Sequence, residues 1–280
     1  GEDDDRVLTG YFDIDSIMNG MRRGSLVIAA GRPGNGKTSQ ACNIACNLAL
    51  NMDKRVVFIS LEQPEVEISE IIIRSAAKIG PITNDLDQEE RANRVNALSE
   101  KLDKIRGDKL FLCEASGVSV EWIESQIGIR ALLNKLDLVV IDYLGLIKKP
   151  SGNEQVTYKI QHITTRLKQL AKQLQIPILL LCQLNREYDK GKNAQSEPQL
   201  HHLRDSGSIE QDADAVLLVW METETDAYSR PAFVKVAKNR HGRTGKAELC
   251  FIGECKRFMP KPAEAMDNYE NGFDDWNNGR

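Results

Sequence analysis

The sequence lacks any long apolar segment and is poor in aromatic residues. None of its hydrophobic runs approaches the roughly 20 residues that span a bilayer, and its start, GEDDDR, lacks the charged and then apolar pattern of a secretion signal. These absences predict a cytoplasmic protein with no membrane contact. The chain has 280 residues, of which 41% are hydrophobic, so it is long enough to bury a substantial core.

Cysteine is also sparse, and no CxxC pair or histidine cluster completes a zinc-binding set. We therefore expect no metal bound by cysteine. Five of the six cysteines lie among apolar neighbours, which predicts buried thiols at Cys42, Cys46, Cys113, Cys182 and Cys250.

The excess of basic residues that is typical of nucleic-acid-binding proteins is missing, since the net charge is −4. The acidic residues are concentrated at the two ends, however. Residues 1–5 and 261–280 together contribute −7 to that total, which leaves about +3 for residues 6–260. This balance permits a local basic channel for nucleic acid but does not by itself predict one.

Short apolar runs alternate regularly with amphipathic stretches between residues 7 and 260, and this alternation predicts an α/β fold. Most of the runs are continuously apolar, as in strands of a mainly parallel sheet that helices cover on both faces. The predicted strands are 25–30, 55–60, 109–113, 136–141, 177–181 and 215–220.

Beyond these strands, the sequence predicts a basic hairpin, a flexible tail and a crossover helix. Residues 232–237 and 247–252 predict an antiparallel hairpin joined by the turn KNRHGRTG. We expect one domain over residues 1–260, with an acidic entry segment at 1–6, and a flexible acidic tail at 261–280. A crossover helix between the fourth and fifth strands is predicted by apolar residues at spacings of three and four, namely Ile160, Ile163, Leu167, Leu170 and Leu174.

The segment GRPGNGKT matches the phosphate-binding pattern G-x-x-x-x-G-K-[ST], directly follows a predicted strand and leads into a helical stretch. Glycines let the backbone wrap closely around phosphate, and the amides of the loop and of the helix start point at the anion. Lys37 would reach the outer phosphates, and Thr38 would offer its hydroxyl to Mg²⁺. An ordinary glycine-rich turn seldom places Lys and Thr correctly by chance. We therefore expect a nucleotide with Mg²⁺ at Gly31, Arg32, Pro33, Gly34, Asn35, Gly36, Lys37 and Thr38, although the phosphate loop does not read the base.

Two acidic residues follow the ends of other predicted strands. Asp142 ends the apolar run in LDLVVIDY, where it would hold the Mg²⁺ directly or through water, although a plain strand-end Asp that starts a turn is the alternative. Glu62 follows the second strand, in VVFISLEQP, at the edge where open α/β sheets bind ligands. By position alone, Glu62 fits equally a residue that polarises the attacking water and a solvent-facing or helix-capping residue.

Taken together, these segments resemble the motor domain of DnaB-type replicative helicases over roughly residues 8–258. Other RecA-fold ATPases share the phosphate loop but not LRDSGSIEQDAD or KNRxGxTG. The resemblance implies a RecA-like P-loop NTPase and an ATP-dependent DNA helicase that moves 5′ to 3′ on single-stranded DNA. The strings that carry it, in the family's order, are GRPGNGKT, FISLEQP, VVIDYLGLI, LLLCQLNRE, LRDSGSIEQDADAVLLVW and AKNRHGRTG.

The resemblance also implies roles for individual residues. Glu62 would be the catalytic carboxylate, Lys37 would bind the phosphates, and Gln183, at the end of the fifth strand, would sense the γ-phosphate. Lys238 and Arg240, two residues apart in the basic hairpin, would act in trans on the nucleotide of a neighbouring subunit. From charge alone that hairpin would fit a solvated basic turn, and Gln183 alone would fit a surface residue.

A site shared between identical neighbours requires a head-to-tail interface, and the resemblance implies a hexameric ring around single-stranded DNA. Arg204, Asp205 and Gly207 match the family's DNA-contacting loop and would follow the sugar-phosphate backbone without reading bases. The adjacent polar segment NREYDKGKNAQSEPQ fits equally a channel loop and an ordinary solvated loop. Primase, a helicase loader or other replication proteins are the implied partners, in a bacterial, phage or plasmid context.

The sequence departs from the family's pattern at two motifs. LGLI follows the pair Asp142-Tyr143 where the family commonly has Gln, and LCQ stands where Ser usually precedes Gln183. The family's N-terminal helical domain is not part of this sequence, and because the chain starts with Gly we expect a piece of a longer protein, with a short parent protein as the alternative. Two other functions stay open, a RecA-like recombinase that forms filaments without unwinding DNA and a nucleotide-switched assembly or regulatory module.

Overall fold

The computed structural model describes residues 5–83, 85–105, 109–152, 155–185, 197–203, 206–222 and 229–261. A π-helical segment, Asn47–Asn51, continues the helix Lys37–Cys46, and short 3-10 turns lie at Leu144–Leu146 and Leu200–His202. No helix in these ranges is both long and apolar enough to cross a membrane. The helices of the described residues are α1 (Phe12–Met18), α2 (Lys37–Cys46), α3 (Glu65–Ala77), α4 (Gln88–Ile105), α5 (Val120–Leu133), α6 (Val156–Leu174) and α7 (Ser206–Asp212).

The strands form one small and one large sheet. They are β1 (Arg6–Val7), β2 (Met21–Arg22), β3 (Leu26–Gly31), β4 (Val56–Ser60), β5 (Leu110–Glu114), β6 (Leu138–Asp142), β7 (Ile178–Gln183), β8 (Ala215–Met221), β9 (Ser229–Asn239), β10 (Gly245–Ile252) and β11 (Arg257–Pro260). β1 pairs with β2, and the other strands form one sheet in the order β11-β10-β9-β8-β3-β7-β6-β4-β5.

The large sheet has the predicted architecture. Six neighbouring strands, β8, β3, β7, β6, β4 and β5, run parallel to one another. Beyond β8 the sheet continues with β9, β10 and β11, each antiparallel to the strand before it. Each predicted parallel strand begins within two residues of the observed one. The prediction of a central, mostly parallel sheet with an added antiparallel hairpin is therefore confirmed.

Helices cover both faces of this sheet, and successive residues of a central strand face opposite layers. In β3, Val27 and Ala29 pack with residues of α1, α2 and α3, whereas Leu26, Ile28 and Ala30 pack with residues of α5, α6 and α7. Because both faces are buried, these strands are apolar at nearly every position before their last residue, which is why continuous apolar runs predicted them.

Helix α6 connects β6 to β7 and carries the predicted apolar stripe. Ile160, Ile163 and Leu167 are buried, and Leu170 and Leu174 pack against the same core while partly buried. The predicted crossover helix is therefore confirmed.

The cysteines follow the prediction only in part. Cys42, Cys46 and Cys182 are buried, and burial raises the pKa of the Cys182 thiol to about 12. Cys113 and Cys250 are only partly buried, so the prediction of buried thiols is wrong for them. Cys113 lies on the edge strand β5, and Cys250 occupies an outward position of the alternating strand β10. Among the described residues, no group of three or more His, Cys, Asp or Glu could hold a metal.

The predicted tail at 261–280 lies outside the described residues except for Lys261, and its flexibility stays a prediction. The predicted acidic entry segment is described only from Asp5 onward. The boundary of the predicted domain near residue 260 coincides with the end of β11.

Candidate nucleotide site

The register of the parallel strands brings the predicted strand-end residues to one edge of the sheet. Gly31 at the end of β3 pairs with Gln183 at the end of β7, and Ser60 of β4 pairs with Asp142 of β6. One residue further on, the N–H of Leu61 donates to the carbonyl oxygen of Asp142 over 2.6 Å. Ligands of parallel α/β sheets bind at this carboxyl edge.

A cleft of about 580 Å³ opens at that edge. Its volume lies within the usual range for sites of small molecules. Residues from the phosphate loop and from two strand ends line it together, which places most of the predicted phosphate-binding residues beside two of the predicted catalytic residues, Glu62 and Gln183. Gly31, Arg32, Asn35 and Asp142 are not among the lining residues. The predicted residues in its lining are Pro33, Gly34, Gly36, Lys37, Thr38, Glu62 and Gln183.

The turn from β3 into α2 depends on glycine conformations. Gly34 and Gly36 have φ angles of +79° and +75°, and α2 begins directly afterwards at Lys37. A Cβ atom on Gly31 would lie 2.6 Å from the carbonyl oxygen of Val219, so the backbone also requires glycine there. The predicted order of strand, loop and helix is present, and a helix start of this kind suits an anion because its first N–H groups lack intrahelical acceptors.

Lys37 and Thr38 line the cleft, and the buried carboxylate of Asp142 lies behind them, bonded to Thr38. We refer to these three residues as the floor of the site. The Thr38 hydroxyl donates to the Asp142 carboxylate, with 2.6 Å between Oγ1 and Oδ2. Burial raises the pKa of Asp142, and the Thr38 hydrogen bond and Lys37 oppose this rise. Burial also lowers the pKa of Lys37, while Asp142 and Glu62 act in the opposite direction. A hydroxyl and a carboxylate so close together are hard oxygen ligands, and they fit a Mg²⁺ ion that is bound with phosphates.

Glu62 lies in the turn between β4 and α3. The Ser60 hydroxyl stabilises this turn, because it donates to the carbonyl oxygen of Gln63 over 2.6 Å and accepts from the Gln63 N–H over 3.2 Å. The Glu62 side chain is exposed and lines the cleft. A carboxylate in this place can accept a proton from a water molecule in the cleft.

Lys238 and Arg240 lie at the opposite edge of the sheet from the phosphate loop. Because β9 runs antiparallel to β8, its last residue, Asn239, pairs with Ala215 at the start of β8. The N–H of Arg240 donates to the carbonyl oxygen of Asp214 over 2.8 Å. The phosphate loop follows the opposite end of β3, the parallel strand beside β8. From its first to its last residue, β3 is roughly 17 Å long at the usual rise per residue. The structure therefore does not bring Lys238 and Arg240 to the cleft of their own chain.

The side chains of Lys238 and Arg240 both contact the C-terminal end of α7. Lys238 Nζ donates to the carbonyl oxygen of Glu210, and Arg240 Nη2 donates to that of Gln211. The guanidinium also lies 3.8 Å from the Asp214 carboxylate. Burial and the charge of Arg240 lower the pKa of Lys238. The two cations thus lie on one side of the hairpin.

Of the predicted DNA contacts, Arg204 and Asp205 lie outside the described residues, and Gly207 lies in the first turn of α7. The segment that precedes them is bonded to the end of β7. Leu203 pairs with Leu184, and the N–H of Asn185 donates to the carbonyl oxygen of His202 over 2.7 Å. Contact with DNA stays a prediction for all three residues.

The cleft has an outer part that the sequence motifs did not predict. In this outer part, acidic and basic side chains of α3 face residues of the antiparallel strands. There the guanidinium carbon of Arg230 lies 5.7 Å from the centroid of the Phe251 ring. No local pattern marks these positions, because they meet only after β9 to β11 join the sheet beside β8. The residues are Glu67, Glu70, Ile71, Arg74, Met221, Arg230, Phe251 and Lys256.

Gly36→Ala is expected to weaken ATP binding. A positive φ costs a non-glycine residue about 1–2 kcal/mol, and a Cβ atom here would lie 2.9 Å from Cζ of Phe258. We expect an affinity about tenfold weaker in isothermal titration calorimetry. Gly34→Ala is the matched control, since Gly34 also has a positive φ but no atom within 4 Å of the new Cβ. Equal losses in the two variants would rule out a contribution from the Phe258 contact.

The fold and the cleft define a P-loop NTPase domain, and two solved structures share its architecture. One is a DnaB-like replicative helicase described with its interactions with primase, which matches with a TM-score of 0.82 and 29% identity over 91% of this chain and 62% of that chain. The other is described as an ATPase domain, with a TM-score of 0.82 and 28% identity over 93% of this chain and 94% of that chain. The predicted RecA-like fold is confirmed.

A family model described as the DnaB-like helicase C terminal domain matches residues 6–260, and the chain therefore belongs to that family. The replicative DNA helicase DnaB of Buchnera aphidicola subsp. Acyrthosiphon pisum is 33% identical over 259 residues, which are 90% of this chain and 55% of that protein. A probable plasmid replicative DNA helicase of Chlamydia muridarum is 35% identical over 257 residues, 91% of this chain and 54% of that protein. The chain thus spans about half the length of these curated relatives.

Proposed function

We propose that this chain is the motor domain of a ring-forming replicative DNA helicase, which hydrolyses MgATP at subunit interfaces and moves 5′ to 3′ on single-stranded DNA. One observation carries the proposal beyond family membership. Lys238 and Arg240 lie at the opposite edge of the sheet from the phosphate loop of their own chain. Any nucleotide on which these two cations act must therefore belong to a second copy of the chain.

Within one subunit, the residues of the cleft have separate tasks. Lys37 binds the outer phosphates, and Thr38 and Asp142 would hold a Mg²⁺ ion, which neutralises charge on the phosphates when it is bound. Glu62 orients a water molecule and accepts its proton. Gln183 offers a neutral amide that can hydrogen-bond the γ-phosphate without forming an ion pair.

The neighbouring subunit completes the site. Arg240 and Lys238 would place positive charge on the phosphoryl group that is transferred, as an arginine finger does. The Arg240 side chain is 46% exposed, which leaves it accessible to a neighbour. A head-to-tail interface of this kind closes into a ring or continues as a helix, and we propose the hexameric ring that the family implies.

DNA contact would follow from the chain beyond β7. The pairing of Leu184 with Leu203 connects Gln183, one residue before Leu184, to the segment that directly precedes Arg204 in the sequence. Arg204, Asp205 and Gly207 would hold the sugar-phosphate backbone in the ring. Since one structural relative is described with primase, we also propose primase, and a helicase loader, as partners of the parent protein.

Two assays on the same preparation test this function. We expect single-stranded DNA to stimulate ATP turnover strongly, and a forked duplex to be unwound when its 5′ tail, rather than its 3′ tail, is available. Filaments on single strands without unwinding would favour a RecA-like recombinase. Oligomers that depend on nucleotide, with no DNA-stimulated turnover, would favour the nucleotide-switched assembly module.

A further inference from the structure

Asp214 connects the arginine that is proposed to act in trans to the centre of the sheet. It directly precedes β8, and its side chain is buried. Its N–H donates to the carbonyl oxygen of Leu26 over 2.9 Å, and its own carbonyl oxygen accepts from the N–H of Arg240. Leu26 begins β3, the strand that leads into the phosphate loop. The backbone of Arg240 is thus bonded through Asp214 to a central strand of its own subunit.

The two oxygens of the Asp214 carboxylate have different partners. Oδ2 accepts from the N–H of Leu26 over 2.8 Å and from Nζ of Lys168 on α6. Oδ1 faces Arg240, whose Nη1 lies 3.8 Å away. One oxygen therefore fixes the carboxylate to β3 and α6, and the other is directed at the guanidinium.

The guanidinium of Arg240 is held without being enclosed. The Arg240 side chain is 46% exposed, whereas that of Asp214 is 7% exposed. Nη2 of Arg240 donates to the carbonyl oxygen of Gln211, which uses one of the five N–H groups of a guanidinium. Other N–H groups can bind a phosphate while these contacts persist. A buried anion and a helix-end carbonyl therefore fix the direction of a long side chain whose end stays accessible.

Lys168 limits how strongly Asp214 attracts Arg240. A buried carboxylate with a single cationic partner binds that partner tightly, because little water screens the pair. Lys168 contacts the same carboxylate and, over 3.5 Å, the carbonyl oxygen of Gly24. Since Lys168 already balances much of the charge of this carboxylate, Arg240 is oriented by it and can still move to a neighbour's phosphate.

We propose that Asp214 is a positioning residue for Arg240 in its action on the neighbour's nucleotide, and that Lys168 keeps the contact of these two residues reversible. The inference rests on the proposed function, because it concerns the residue that acts in trans. An arginine side chain has many rotamers, and fixing its direction beforehand lowers the entropy that is lost when it binds phosphate. Asp214 supplies this fixed direction from a buried position that is itself bonded to β3.

Asp214→Asn tests the contact with little other change. The amide oxygen of asparagine can occupy the position of Oδ2 and keep its bonds with Leu26 and Lys168, while the charge that faces Arg240 is lost. ATP turnover of the full chain on single-stranded DNA should fall roughly 10- to 100-fold, since a misplacement of about 1 Å can cost about 10²-fold. The affinity for a non-hydrolysable ATP analogue should not change, because Asp214 does not line the cleft.

Mixing variants at constant total protein shows which side of the interface Asp214 serves. With Glu62→Gln, whose Arg240 is intact, Asp214→Asn should give turnover above the sum of the two variants measured separately. With Arg240→Ala it should give only that sum, because every interface then receives a defective arginine. The reverse pattern, additive turnover in both mixtures, or parental turnover in Asp214→Asn would overturn the inference. If Glu62→Gln and Arg240→Ala do not restore one another, the proposed function itself is refuted.

Asp137→Asn is the matched control. Asp137 is also a buried carboxylate that directly precedes a parallel strand, here β6. Its Oδ2 accepts from the N–H of Arg55 over 3.0 Å, and its Oδ1 accepts from Nη2 of Arg23 over 2.7 Å. This variant should hydrolyse ATP at nearly the parental rate. An equal loss in Asp137→Asn and Asp214→Asn would indicate a general effect of a buried amide and would overturn the inference.

Lys168→Met decides the question if thermal unfolding shows that Asp214→Asn does not fold. Methionine keeps the length of the side chain but leaves the Asp214 carboxylate to Arg240, which is then held back on its own subunit. Turnover on single-stranded DNA should fall, and mixing with Glu62→Gln should raise it above the sum of the two variants. Parental turnover in Lys168→Met, or a loss that Glu62→Gln does not restore, would contradict the inference.

Discussion

Arg240→Ala is expected to lower ATP turnover at least about 10³-fold while ATP affinity changes little. An arginine that acts in trans on the phosphoryl group contributes about 10³ to 10⁵ in rate. In this chain the guanidinium lies at the sheet edge opposite the phosphate loop, so its loss removes nothing from the cleft that binds ATP. Steady-state hydrolysis on single-stranded DNA and calorimetry with a non-hydrolysable analogue measure the two quantities.

Arg243→Ala is the control for a general effect of charge. Arg243 is exposed in the same basic turn, and its carbonyl oxygen accepts from the Asn239 side chain, a bond that alanine keeps. We expect turnover within about twofold of the parent, as for most surface substitutions. Similar losses in both variants would indicate a nonspecific electrostatic effect, and parental turnover in Arg240→Ala would refute its role in trans.

Glu62→Gln is expected to lower turnover by about 10² to 10⁴, the usual contribution of a positioned general base. Glutamine keeps the size of the side chain and its place in the turn that Ser60 stabilises, but it cannot take a proton from water. ATP should bind at least as tightly, because a negative charge near the phosphates has been removed. Single-turnover hydrolysis separates the chemical step from binding.

Glu67→Gln makes the same chemical change elsewhere in the cleft. Glu67 lies on α3, is exposed and lines the outer part of the site. Its variant should hydrolyse ATP at nearly the parental rate. If Glu62→Gln hydrolysed ATP at the parental rate, as Glu67→Gln is expected to do, the catalytic role of Glu62 would be withdrawn.

The central sheet could be predicted from sequence because its strands are buried on both faces. Burial makes β3, β4, β6, β7 and β8 continuously apolar up to their last residue, and such runs are visible without any knowledge of their partners. The short strands β1, β2 and β11 were not predicted, since two to four residues carry no readable period. Cys113 was placed wrongly for a related reason, because an apolar run does not reveal that its strand lies at the sheet edge.

The floor of the candidate site could also be predicted, since the phosphate loop is a local pattern and Asp142 ends a buried strand. Thr38 follows β3 and Asp142 ends β6. Their hydrogen bond is expected once β3 and β6 are parallel strands of the same sheet. The position of Arg240 depends on the antiparallel direction of β9, and its contact with α7 depends on long-range packing. No local pattern contains that information, so the role of Arg240 was implied by the family resemblance alone.

The central claim is that each nucleotide site is completed by a neighbouring subunit, and mixing two inactive variants tests it most directly. Glu62→Gln keeps Arg240, and Arg240→Ala keeps Glu62, so a mixed ring contains some interfaces with both residues intact. ATP turnover on single-stranded DNA is measured over a series of mixing ratios at constant total protein. The account predicts turnover well above the sum of the two variants measured separately, with a maximum at intermediate ratios. Turnover equal to that sum at every ratio would contradict it.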